Sequence, residues 1–374
     1  MKVCFFSPTA YSYFFPSEFT WAGGAEMQQI LVARYMASKG IDVSFIVGDY
    51  GQKKIEIVDG IRLIKSFKPF VGNRKIRFLP DMYSIFNAMK IADADIYNQR
   101  STSFYTGQLA IFASILRKKF TFSIGIDYNC LKNCGGYLPK IMCELYRLGI
   151  KKADAVIAQT IKQQELMIKN YNVNPVLIRN GIHIPDAIAP IKYKDTEHYR
   201  PKFLWVGSIR KRKRPELYIE LAKQVQDAEF IMIGGEGDNP SFFEKIKEEA
   251  SKVRNINYIG FVPPDKIGEY YRTAFAYINT SYLEGFPNTY LQSWVYGVPT
   301  LTIEIDPDNI ISKNNIGIVS GSFENLISEV KRLIENPAER DSMSERAFNY
   351  VRENHSIENI AEKYINLFEE LIEK

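Results

Sequence analysis

The sequence predicts an α/β chain built as two doubly wound halves, and three observations carry that prediction. Short apolar runs alternate with longer stretches of helical periodicity, the pattern of βαβ units on a parallel sheet. At 374 residues the chain is long for one ordinary domain and comfortable for two. A polar, proline-containing stretch, 184–200, interrupts the alternation near the middle.

In the first half, residues 3–7 read as a buried strand. Residues 25–39 follow as a helix with Met27, Ile30, Leu31, Tyr35 and Met36 on one face, stopped by Gly40. Residues 42–47, 95–98, 120–124, 155–158 and 176–179 read as further strands, with helices over 104–116, 138–148 and 161–169. The second half opens with a strand at 203–206. Pro215 then begins a helix carrying Leu217, Leu221 and Val225 at fourfold spacing. Strands follow at 230–233, 256–259, 274–279 and 299–303, and residues 357–373 form an amphipathic terminal helix. The expected boundaries are a first domain over 1–185, a linker over 186–200 and a second domain over 201–356. The helix 357–374 is expected to pack back on the first domain.

Hydrophobic residues make up 46% and charged residues 24%, which is ordinary globular composition. No apolar run approaches the ~20 residues of a membrane-spanning helix. The longest candidate, 104–116, is broken by Thr106, Gly107 and Gln108. The amino terminus reads as a first strand rather than a leader peptide, so a cytoplasmic location is expected, with peripheral contact at the inner membrane surface. A net charge of +5 suits an anionic small substrate or an anionic membrane surface and falls short of a nucleic-acid footprint. Cys4, Cys130, Cys134 and Cys143 lack the paired spacing of a structural zinc site, so reduced thiols are expected. With only His183, His198 and His355, a histidine-base mechanism has little material.

The most informative stretch is Ser281-Tyr-Leu-Glu284-Gly285-Phe286-Pro287-Asn288-Thr-Tyr-Leu-Gln292, which follows a predicted strand. Pro287 suits a first helical position, which places Glu284 in the loop before a helix and Gln292 about a turn and a half inside it. A helix start offers unpaired N–H groups to an anion, and a diphosphate is a natural guest. On spacing alone, Glu284 could equally complement the helix dipole and Gln292 be a solvated polar residue.

This segment resembles the E-x7-E motif of the retaining glycosyltransferases of family four, the glycosyl transferases of group 1. Other stretches resemble that family in order. They are Gly23-Gly24-Ala25-Glu26, Ala153-Asp-Ala-Val-Ile157, Asn180-Gly-Ile-His183, Val206-Gly-Ser208-Ile209 with Lys213, Ile233-Gly-Gly235-Glu-Gly237 and Ile259-Gly-Phe261-Val262. The resemblance implies the GT-B architecture, two Rossmann-like domains facing each other across a cleft. It implies a nucleoside-diphosphate sugar as co-substrate, a glycan or lipid-linked acceptor, no metal or other cofactor, and no nucleic-acid partner. Surface polysaccharide assembly is the implied setting. Glu284 then faces the donor sugar, Lys213 meets the diphosphate, and Gly24, Ser208, Arg210, Gly235, Phe261, Val262, Gly285, Phe286, Asn288 and Gln292 line the donor.

Three departures accompany the resemblance. Gln292 stands where the family has a second glutamate, and an amide can still donate to and accept from ribose hydroxyls. Ser208 stands where the family has an arginine, and within Arg210-Lys211-Arg212-Lys213-Arg214 the substitute cation is expected to be Arg210, with Lys211 and Arg212 turned to solvent. The family's histidine after a central first-domain strand is absent. Asp127 is the nearby group able to contact an acceptor hydroxyl or the donor sugar, or equally a turn aspartate. Two other readings stay open, a catalytically silent binding subunit and a sugar-nucleotide epimerase. A nicotinamide oxidoreductase is disfavoured because Gly235-Glu-Gly237-Asp-Asn-Pro240 breaks the required third glycine.

Overall fold

The computed structural model describes residues 1–19, 23–69, 74–132, 136, 139–185, 190 and 200–374. Most of the expected linker, together with Cys134, His198 and the start of the helix expected at 138–148, lies outside them. The chain divides into two compact units. One comprises Met1–Phe15, Ala22–His183 and Ile357–Lys374, the other Pro16–Trp21 and Ile184–Ser356.

The first unit holds an eight-stranded sheet. Its strands are β1 (Lys2–Phe6), β2 (Asp42–Val47), β3 (Ile55–Val58), β4 (Ile61–Lys65), β5 (Ile96–Arg100), β6 (Lys119–Ser123), β7 (Ala155–Ala158) and β8 (Val176–Leu177). They are ordered β3-β4-β2-β1-β5-β6-β7-β8. All pairs are parallel except β3 with β4. That hairpin turns on Asp59 and Gly60, whose φ of 52° and 76° match a two-residue primed turn. Helix Gly24–Ser38 ends in a Schellman arrangement, with Ile41 N donating to Met36 O and Gly40, at φ 79°, donating to Ala37 O. The terminal helix Ile357–Glu373 belongs to this unit and packs on Gly24–Ser38, with Tyr35 Oη donating to Glu362 at 2.8 Å. Phe6, Ile46, Ile64, Tyr97, Leu109, Phe122 and Tyr146 are among the buried side chains of its core.

The second unit holds a six-stranded sheet of β9 (Lys202–Val206), β10 (Glu229–Ile233), β11 (Ile256–Gly260), β12 (Ala276–Asn279), β13 (Thr300–Thr302) and β14 (Gly317–Val319). Its order, β11-β10-β9-β12-β13-β14, is wholly parallel. This is the doubly wound order in which the winding direction reverses between two central strands. Those strands are β9 and β12, which pair only at Ala276 with Phe203 and Tyr277 with Leu204. The loops that follow them flank the position at which this class of sheet binds ligands. Helices Pro215–Gln224, Pro240–Ser251, Phe323–Glu335 and Pro337–His355 belong to the same unit. Arg340 is buried in its interior, with Nε donating to Phe275 O at 2.9 Å and the guanidinium over the Phe275 ring.

Candidate functional site

The two loops at the β9/β12 reversal are stitched together by backbone-directed bonds. After β9 the chain runs through Gly207 to a 3₁₀ turn at Lys211–Lys213, and Arg214 then takes a left-handed φ of 45° before Pro215 opens the helix. Tyr282 N donates to Arg212 O at 3.1 Å. Thr280 Oγ1 donates to Lys213 O at 2.6 Å and accepts from Trp205 Nε1 at 3.1 Å. Arg214 Nε donates to Thr280 O at 2.6 Å, while its Nη2 pairs with Glu304 at 3.0 Å. Arg212 and Lys213 are therefore each held to the second loop through a main-chain carbonyl.

Within this frame Glu284 meets two cations. Lys213 Nζ lies 2.5 Å from Oε1, and Arg212 Nη1 lies 3.1 Å from Oε2 and donates also to Leu283 O at 3.2 Å. The side chains of Glu284, Lys213 and Arg212 are 10%, 12% and 23% exposed. Burial alone would raise the Glu284 carboxyl. Lys213, Arg212 and a bond from Ser281 outweigh it and hold the group below its ordinary range. Burial lowers the Lys213 ammonium, with Glu284 opposing that shift and Arg212 and Arg210 adding to it. The arrangement is a largely desolvated pair of cations closed by one carboxylate.

The expectation for Arg212 is corrected here: it turns to Glu284, not to solvent, because the 3₁₀ turn and the left-handed Arg214 aim it toward the Glu284 loop. Lys211 is exposed. Arg210 lies against the glycine loop after β10, where a Cβ on Gly237 would come 2.6 Å from Arg210 Cγ and 2.3 Å from Ile209 O. Its Nε is buried without a hydrogen-bond partner among the described residues. Gly234 is required for the same close approach, since a Cβ there would meet Gly207 O at 2.0 Å. Gly235 O accepts from Ile209 N at 3.0 Å, which brings Ser208 and Gly235 onto adjoining loops. Phe261 and Val262 follow β11, partly buried, after a left-handed Gly260.

The helix after Glu284 also differs from expectation. Pro287 is its N-cap rather than its first residue, and it runs over Asn288–Trp294. Gly285 and Asn288 flank Pro287, and Gln292 accepts from Tyr271 Oη at 3.3 Å. Phe286 was expected to line the donor. It is 5% exposed, and its ring packs on Trp294 and His355.

Two predicted residues lie in the first unit. Gly24 is the first residue of helix Gly24–Ser38. In the first turn of that helix Glu26 accepts a short hydrogen bond from Thr9, and before it Tyr13 Oη donates to Gly23 O at 2.7 Å. Asp127 is held by Lys162 Nζ at 2.8 Å and Gln163 Nε2 at 3.1 Å, one partner on each oxygen. Among the described residues no cluster of three or more His, Cys, Asp or Glu side chains could hold a metal, and no helix is long and apolar enough to cross a membrane.

Comparison with known proteins places this geometry. A profile described as Glycosyl transferases group 1 matches residues 191–350, and one described as Glycosyltransferase Family 4 matches residues 22–184. The chain is 26% identical over 316 residues to the alpha-monoglucosyldiacylglycerol synthase of Acholeplasma laidlawii, covering 77% of this chain and 75% of that one. It is 27% identical over 168 residues to the alpha-galactosylglucosyldiacylglycerol synthase of Streptococcus pneumoniae, a match that spans only 44% of each chain. A sucrose-phosphate synthase structure from Thermosynechococcus elongatus superposes with a TM-score of 0.78 at 14% identity, covering 99% of both chains. The chain is a glycosyltransferase of GT-B architecture and belongs to the glycosyl transferases of group 1.

Proposed function

We propose that the chain transfers a hexosyl residue from a nucleoside-diphosphate sugar to a lipid-linked or glycan acceptor, with retention at the anomeric carbon and without a metal, in surface-glycan assembly. The observation that carries this reading is the Lys213–Arg212 pair at the β9/β12 reversal, closed by Glu284. Two cations in a mostly dry pocket meet the need of a reaction whose leaving group is a diphosphate. The C1–O bond to the diphosphate breaks as the acceptor oxygen bonds C1 from the same face, and the acceptor proton passes to the departing phosphate oxygen. No histidine is asked for. The two relatives are named for α-linked sugars on diacylglycerol, the products that retention from an α-configured donor would give.

Screening the full chain against UDP, GDP and ADP tests the donor class. One of them should raise the unfolding midpoint, with about 2.7 kcal/mol of stabilisation at a hundredfold excess over Kd. Transfer should persist after exhaustive EDTA treatment, because Lys213 and Arg212 supply the charge a divalent ion would otherwise bring. No stabilisation by any of the three, or activity restored only by Mg²⁺ or Mn²⁺, contradicts the reading.

A lipid-linked acceptor also asks for contact with a bilayer surface. Helix Lys140–Lys152 turns Ile141, 68% exposed, and Leu148 outward seven residues apart, with exposed Lys140, Lys151 and Lys152 around them. The protein is expected to sediment with vesicles containing an anionic lipid and to be released by salt. Ile141→Glu with Lys151→Glu should remove that binding. Undiminished sedimentation of the double variant contradicts the assignment of this face.

A further inference from the structure

We propose that Arg212 is the second diphosphate-binding cation, and that Glu284 is an internal counter-ion which occupies the anion site of the ligand-free chain until an entering diphosphate takes its place. The proposal rests on the nucleotide-sugar reading above and deepens it.

The charge balance of the loop carries the inference. Of the five consecutive cations, Arg214 is neutralised by Glu304 and bonded to Thr280 O and Ser281 O. Lys211 is exposed. The remaining three, Arg210, Arg212 and Lys213, have a single carboxylate among them, Glu284. Arg210 has no ion-pair partner among the described residues, and its buried Nε has no hydrogen-bond acceptor. One negative charge among three clustered cations leaves the pocket under-neutralised, and each cation in it has lost part of its hydration. A diphosphate carries more charge than a carboxylate and offers more acceptor oxygens, so it satisfies the same cations more fully.

Tyr282 N on Arg212 O and Thr280 Oγ1 on Lys213 O hold the two residues by their backbones. Leaving Glu284 for the diphosphate costs the loop one side-chain bond, from Arg212 Nη1 to Leu283 O, and keeps those two in place. The released carboxylate is then free to reach the sugar that the diphosphate carries. Arg212 fills the charge vacated at Ser208 from a position four residues later in the same loop.

Calorimetric titration of the full-length wild type and variants with UDP, or with whichever of GDP and ADP binds, tests the proposal. Glu284→Gln removes the competitor, so it should bind the nucleoside diphosphate about tenfold more tightly than wild type while its unliganded form melts lower. Arg212→Gln should bind at least about tenfold more weakly, with a shallower dependence of affinity on salt. Arg212→Lys, which keeps the charge, should recover most of the loss. Affinity in Glu284→Gln equal to or below that of wild type overturns the counter-ion role. If Glu284→Gln does not fold, unchanged affinity and salt slope in Arg212→Gln overturn the proposal. A wild type that binds no nucleoside diphosphate at all overturns instead the nucleotide-sugar reading beneath it.

Discussion

Glu284→Gln is expected to lower transfer turnover by about two to three orders of magnitude. The substitution keeps the size of the side chain and removes its charge. Glu284 sits at the loop that follows β12, 10% exposed, and is held ionised by Lys213 and Arg212. A carboxylate beside the anomeric carbon stabilises the positive charge that develops there as the diphosphate departs, and an amide does not. The depressed pKa also fixes the sign of the pH dependence. Its contribution to stability is complete above the ordinary glutamate pKa and is lost only as the pH falls through the lower folded value. The stability that Glu284 lends the unliganded chain should therefore be flat over about pH 6–8. Steady-state kinetics with the identified donor checks the loss of turnover, and thermal unfolding of the unliganded chain checks the pH dependence. Near-wild-type turnover in Glu284→Gln would remove the residue from the reaction.

Lys213→Ala is expected to reduce kcat/KM by about two orders of magnitude or more, through both KM and kcat. Its Nζ lies 2.5 Å from Glu284, and its stem runs over Gly207, where an added Cβ would sit 3.5 Å from Lys213 Cε. It therefore reaches the crevice from the end of β9 in a fixed direction. A cation in that position meets the diphosphate in the bound donor and again, more strongly, as charge accumulates on the leaving group. Arg210→Ala should have a smaller effect of the same kind. Lys211→Ala, altering an exposed side chain, should change little beyond salt dependence. Kinetics on the three variants discriminates sharply: equal small losses at all three would make the run a solvated face.

The parallel sheets were legible because their strands are short apolar runs that need no partner to be recognised, as at β1, β9 and β12. The β3–β4 hairpin went unread although Asp59-Gly60 is a strong turn signal, since the alternation of Ile55-Glu-Ile-Val58 is brief and half exposed. Helix Pro337–His355 is too polar to show an apolar stripe, and its Arg340 looks solvated in sequence while it is buried against backbone carbonyls. At the site, the structure pairs Glu284 with Lys213; Glu284 was singled out by its place after a predicted strand and Lys213 by the resemblance. Arg212 was not, because its direction depends on a 3₁₀ turn and a left-handed arginine that no propensity predicts. The packing of Phe286 on Trp294 and His355 was not legible, because an aromatic in a glycine-rich loop carries no mark of which way its ring packs. Asp127 was left open between two roles by sequence, and its partners Lys162 and Gln163 lie too far along the chain to be read as such.

A crystal structure of the full-length chain with a bound nucleoside diphosphate tests the central claim most directly. The account predicts the diphosphate at the β9/β12 reversal, its oxygens within hydrogen-bonding distance of Lys213 Nζ and the Arg212 guanidinium, and Glu284 withdrawn from both. A diphosphate bound away from Lys213 and Arg212, with Glu284 still paired to them, would contradict it.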